Sequence, residues 1–136
     1  MNFFYNNIII IPAITFFITV IVKWLLIKIK KWNFDLNSSL WSGGMPSVHT
    51  SVVVSMTVAV ALKNGIWSDL FAIALTVTLI IIYDAINIRY EAWLHAKQIN
   101  KYIWKKKLKE SLWHLPSEAF AWSIIWILVA IILFYV

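Results

Sequence analysis

Residues 46–62 read PSVHTSVVVSMTVAVAL: a proline, a serine and a histidine, then an uncharged run in which Ser, Thr and Ala are interleaved with Val. The stretch sits at the short end of the range of about 17 to 25 residues that cross a hydrocarbon core. Its side chains are small, and several carry hydroxyls. That pattern suits a helix packed closely among neighbours better than one facing lipid, so it is predicted to be the central helix of a bundle. Working outward, three further stretches are long and apolar enough to span, 8–27, 70–88 and 118–136. The predicted fold class is all-α, a polytopic membrane bundle of about four transmembrane helices within one domain, 1–136.

Composition agrees with that setting. The chain has 136 residues, 62% hydrophobic and 13% charged, whereas soluble domains carry about 25% charged residues. Such a length leaves no room for a second large domain beside the spans. The absence of Cys excludes a disulfide framework and a thiol nucleophile. The start MNFFYNNIIII has no basic region ahead of its apolar run and no small-residue cleavage site after it, so the first span is read as retained.

Between the third and fourth spans, residues 89–114 read RYEAWLHAKQINKYIWKKKLKESLWH. Apolar or weakly polar residues recur there at helical spacing, at Ala92, His95 or Ala96, Ile99 and Ile103, with Lys105, Lys106 and Lys107 beyond them. The pattern predicts an interfacial amphipathic helix lying on the membrane. Lys28, Lys30 and Lys31 follow the first span and a run of lysines from 97 to 109 follows the third, while the connection between spans two and three offers Lys63 against Asp69. By the positive-inside rule the loops after spans one and three are cytoplasmic and both termini are outside, in an integral protein of the cell membrane. The net charge of +6 is accounted for by this asymmetry and by anionic headgroups, and no nucleic-acid-binding module fits beside the spans.

Three polar clusters meet on that cytoplasmic face: GGMPSVH at 43–49, Arg89, and HLPSE at 114–118. Pro46 and Pro116 are suited to opening helices, where a missing N–H costs nothing, and each has a His within three residues. Helix starts present free backbone N–H groups that favour anions, phosphate above all. Gly43 and Gly44 allow close backbone approach. A phosphate between two helix N-termini and an Arg is the ligand that fits. Asp84 lies about five residues inside the third span, where an ionisable group is costly and is paired or functional. Taken singly, His49 also suits a helix cap, Arg89 a positive-inside anchor, and Lys23 a side chain snorkelling to the surface.

The strings SGGMPSVHTS, YDAINIRYEA and LKESLWHLPSEAFA, with Lys23 in IVKWLL, resemble the divergent branch of the type 2 phosphatidic acid phosphatase family, which is related to acid phosphatases and vanadium-dependent haloperoxidases. The resemblance implies that Lys23 is the first-motif cation, PSVH the second motif and Arg89 the arginine of the third. No Arg-Pro follows Lys23, and Val48 stands where the wider superfamily has Gly. Two histidines compete for the nucleophile. His95 follows Arg89 but has Ile99 four residues on, whereas His114 has Glu118 at that spacing and is preferred. The implied activity is hydrolysis of a lipid-linked or membrane-delivered phosphate ester or diphosphate. His114 attacks phosphorus, Glu118 orients it, and His49 protonates the leaving oxygen. Arg89, Lys23 and the N–H groups of residues 44–49 stabilise charge, and Gly43, Gly44, Ser47 and Asp84 complete the substrate site. No cofactor is implied, and three His without Cys leave too few ligands for zinc. Two other classes share these residues: a protein that binds a phosphate or lipid headgroup without turning it over, and a small transporter subunit using Lys23 and Asp84.

Tryptophan is over-used and glycine under-used, nine against three, where average usage of about 7% would give roughly nine or ten Gly. The resemblance implies small residues, chiefly Gly, at Trp93, Trp113, Trp122 and Trp126. One explanation is a coding sequence in which UGA specifies Gly and is here written as Trp; the other is that these are true tryptophans in a divergent, inactive member.

Overall fold

The computed structural model describes residues 7–31, 46–103, 108, 110 and 115–136. Among these residues every regular element is helical: α1 (Ile10–Lys31), α2 (Val48–Asn64), α3 (Asp69–Tyr83), a π-helical turn (Asp84–Ile88), α4 (Arg89–Asn100) and α5 (Pro116–Tyr135). Three stretches are long and apolar enough to cross a membrane, Ile10–Ile29, Asp69–Asn100 and Pro116–Tyr135, and α2 is a shorter apolar helix. The protein is an all-α membrane bundle.

Local chemistry sets the helix limits. Ser47 is the N-cap of α2, its hydroxyl accepting the Thr50 N–H at 3.4 Å. Pro46 therefore lies just before the cap, two positions earlier than a helix-opening proline would stand. At the other end Gly65 takes φ +84°, a conformation costly for a side chain bearing Cβ, and its N–H closes the helix on the Ala61 carbonyl. Ser68 then caps α3 by accepting from the Phe71 N–H at 3.2 Å.

The amphipathic stretch is helical over Arg89–Asn100, but it does not lie apart from the third span. It continues α3 through the π turn into one 32-residue rod. No Gly or Pro occurs between 66 and 115, so nothing in the sequence breaks the rod at the membrane surface. At 1.5 Å per residue it is about 48 Å long, whereas the hydrocarbon core is about 30 Å. Its last third must leave the core, carrying Arg89 and the basic end of α4 with it.

As its small residues predict, α2 is central, packing on α1, α3 and α5. Hydroxyls tie these contacts together. Thr15 of α1 and Ser55 of α2 lie 2.8 Å apart, and Thr57 of α2 and Thr78 of α3 lie 2.7 Å apart. Thr57 and Thr78 also reach the Ala74 and Val53 carbonyls across the same contact. Each interhelical hydrogen bond in a membrane is worth only about 0.6 kcal/mol on average, so these bonds fix register more than they stabilise. The far end is apolar, with Ile11, Ala59, Ala130 and Phe134 packed together.

Candidate phosphate site at the start of helix α2

The end of the bundle where α2 begins is polar to its interior. Ser47, Thr50 and Ser51 are buried there, and so is Lys23 of α1, which is only 4% exposed. A buried ammonium needs compensating partners. His49 sits in the first turn of α2 with its side chain exposed. Its imidazole lies within electrostatic reach of Arg89, Asp84 and Lys23. Side chains from α1, from the start of α2 and from the π turn thus share one electrostatic neighbourhood.

The π turn explains how Asp84 and Arg89 come together. Residues five apart point about 140° away from each other around an α-helix. A π turn closes i to i+5 and stacks them. Here the Arg89 N–H bonds the Asp84 carbonyl, and the Arg89 Nε donates to Asp84 Oδ2 at 2.8 Å. The Asp84 charge inside the third span is therefore paired, as its cost demands. The ion pair engages Arg89 through Nε, so the terminal nitrogens keep N–H groups with which to grip an anion.

The start of α5 is built differently. Pro116 is its first residue, and the Glu118 carboxylate accepts the Leu115 N–H at 3.0 Å. Glu118 thus already caps its own helix, while its second oxygen remains able to hold an imidazole. His114, Gly43, Gly44, Trp113 and the lysines at 105–107 lie outside the described residues. His95, the rival nucleophile, is exposed on α4. Among the described residues no three His, Asp or Glu side chains gather as metal ligands would.

Sequence reasoning missed Thr50. It is 1% exposed, in the first turn of α2, and its Oγ1 has no hydrogen-bond partner. A hydroxyl three residues after a capping serine, beside a histidine, was the available signal. Trp126, at a position where the resemblance implies a small residue, is accommodated at 2% exposure, stacked on Trp122 with ring centroids 6.3 Å apart. Its indole N–H is buried without an acceptor.

A family model described as the divergent PAP2 family matches residues 4–129. The chain belongs to the divergent PAP2 family. That match takes in α1 with Lys23, the start of α2, the π turn and the start of α5, so the elements that build the cluster all lie within the family's region. A relative in the curated proteins, the uncharacterized membrane protein YuiD of Bacillus subtilis (strain 168), is 32% identical over an alignment of 126 residues that covers 78% of each chain. No solved structure matches the chain.

Proposed function

We propose that this divergent PAP2 protein is a membrane phosphatase acting on a lipid-linked or membrane-delivered phosphate ester or diphosphate. The observation that carries the reading is the convergence of Lys23, His49 and Arg89 at the N-terminus of α2. Cations and free helix N–H groups suit a phosphate, and most catalysis of phosphoryl transfer comes from such positioned charge.

In the proposed cycle the substrate phosphoryl group sits above the first turn of α2. His114 attacks phosphorus through one imidazole nitrogen, while Glu118 holds the other. The bond from phosphorus to the leaving oxygen breaks, and His49 gives that oxygen its proton. Water then attacks the phosphohistidine with His49 accepting a proton, the P–N bond breaks, and phosphate leaves. Arg89 and Lys23, with the N–H groups of residues 44–49 other than Pro46, stabilise the equatorial oxygens throughout. Ser47 shapes that turn as its cap, and Asp84 holds Arg89 in place by the 2.8 Å ion pair.

Purified protein incubated with phosphatidic acid, a polyprenyl diphosphate and soluble phosphomonoesters tests the reading. Release of phosphate that His114→Ala abolishes supports it. Binding without release across the panel favours the second reading, a protein that holds a phosphate headgroup. Membrane sidedness is a separate question. A cysteine introduced at Ser42 or Ser111 should be protected from an impermeant reagent in intact cells if the site faces the cytoplasm.

A further inference from the structure

The two ends of helix α2 differ in what they need. At 1.5 Å per residue its 17 residues rise about 26 Å, about 4 Å less than a hydrocarbon core of about 30 Å. One end must therefore stop short of the core boundary. The start of α2, where His49 is exposed and lies within electrostatic reach of Lys23, Asp84 and Arg89, is the end that needs water. The shortfall falls on the far end, where the turn 65–68 joins α2 to α3. That turn is apolar at its tip, with Trp67 94% exposed and Ile66 58% exposed. It carries no charge of its own, and the charges that flank it, Lys63 and Asp69, are opposite in sign. Much of its polar surface is already engaged. The Gly65 N–H donates to the Ala61 carbonyl at 2.9 Å, the Gly65 carbonyl accepts from the Ser68 hydroxyl at 2.8 Å, and that hydroxyl accepts the Phe71 N–H. Groups paired in this way cost little to withdraw from water.

We infer that the turn 65–68 anchors the bundle in the leaflet away from the polar cluster, with Ile66 and Trp67 sunk at the boundary between headgroups and acyl chains. The neighbours of the turn say what covers it. Ile8, Leu62 and Leu133 pack on one apolar cluster, so the beginning of α1 and the end of α5 lie level with the end of α2. Around that level Ile9, Leu70 and Tyr135 are exposed as well. They belong to the three helices that pack on α2 from different sides. A belt on several sides fits a bilayer boundary, where Trp and Tyr gather, whereas a protein partner would cover one side. Because Lys63 and Asp69 offset each other, the anchor holds by apolar burial and not by attraction to charged headgroups. It sets the depth of the short α2 and thereby keeps the start of that helix at the opposite surface. The inference does not depend on the phosphatase reading and holds equally for a protein that binds a headgroup without turnover.

Spin-label accessibility tests this on the full chain in phosphatidylcholine vesicles. The chain has no Cys, so one introduced thiol labels one position. A label at Ile66→Cys, with Trp67 kept, is compared with one at Lys101→Cys, an exposed position just beyond α4. The ratio of collisions with dissolved oxygen to collisions with a water-soluble nickel complex should be severalfold higher at 66 than at 101. Added salt, which screens charge but not apolar burial, should leave that ratio unchanged. Equal ratios at the two positions would overturn the inference, because the turn would then stand in water. A label at 66 shielded from oxygen and nickel alike would also overturn it, as would spectral broadening relieved by dilution with unlabelled chain, since protein or a second copy would then cover the turn. The double variant Ile66→Ser, Trp67→Ser tests the setting of depth, read by a label at Leu70→Cys. Nickel collisions at 70 should rise severalfold in vesicles, while thermal unfolding in detergent stays unchanged. No rise in vesicles would show that the turn anchors nothing. Unfolding at lower temperature in detergent would assign the two side chains to the folded bundle and contradict the anchor.

Discussion

Helices α2 and α5 both begin at a Pro-Ser pair, yet a hydroxyl caps the first and a carboxylate caps the second. Ser47 satisfies one N–H of α2 without bringing a charge, so the positive end of that helix is left for a ligand anion. Glu118 places a negative charge at the start of α5, which then no longer attracts phosphate. The expectation of two equivalent anion-binding helix starts thus becomes a division of labour. In the proposed function one start binds the phosphoryl group, and the other aims the residue that attacks it.

That contrast can be broken from either side. Arg89→Ala removes the cation facing the α2 start and leaves Asp84 unpaired at the membrane edge. Phosphate release should fall by about 100- to 1,000-fold, the size seen when one oxyanion donor is lost, measured as kcat with the substrate that the panel identifies. Ser47→Asp makes the first start resemble the second. Asp caps as well as Ser, so thermal stability in detergent should hardly change, while phosphate release drops by about ten- to a hundredfold because the new carboxylate occupies the anion's place. An equal loss of stability and activity would mean that the cap acts only through folding.

A change at α5 should be milder. Glu118→Gln keeps an acceptor for the Leu115 N–H and removes the charge, so stability should hold while turnover falls severalfold and KM stays constant. Glu118→Ala should also lose about 1 kcal/mol of stability with its cap. If both variants leave kcat intact, Glu118 serves the helix alone.

The smallest effect concerns Trp126, whose buried indole N–H lacks an acceptor. Leaving such a donor unmet costs about 1–3 kcal/mol, so Trp126→Phe should be neutral or slightly stabilising in a detergent unfolding assay. Trp126→Gly separates the two histories of this position. A true tryptophan leaves a large cavity when removed and costs about 3–5 kcal/mol, whereas a recoded glycine is restored and should be tolerated. The coding DNA gives the parallel answer: UGG at positions 93, 113, 122 and 126 refutes recoding, and UGA there with UGG at Trp32 favours it.

The bundle was legible because composition and helix length act over many residues at once. The Ser, Thr and Ala of α2 announced its central place, and the hydroxyl pairs of Thr15 with Ser55 and Thr57 with Thr78 give the physical reason. The continuity of α3 with α4 was not legible from charge pattern alone. The lysines suggested a separate segment at the membrane surface, but a helix without Gly or Pro runs on unbroken over Asp69–Asn100. At the site, Asp84 was noticed through its cost and Arg89 through its motif. Their pairing depends on a π turn, which shifts side chains by one position and leaves no mark in hydrophobic periodicity. Thr50 escaped because its one signal, a hydroxyl three residues after a capping serine and beside a histidine, is faint in a Ser- and Thr-rich helix; its burial and its missing partner are what set it apart.

The central claim, a phosphoryl group held at the start of α2 and attacked from the start of α5, is tested most directly by trapping the intermediate. Purified protein is mixed with lipid substrate labelled on the phosphoryl group, quenched in base within one turnover, and digested for peptide mapping. The label should be stable to base and labile to acid, as a phosphohistidine is, and should map to His114. It should be missing from His114→Ala and should accumulate in His49→Ala if hydrolysis of the intermediate slows more than its formation. Phosphate release without any labelled peptide, or label at His95, would contradict the account.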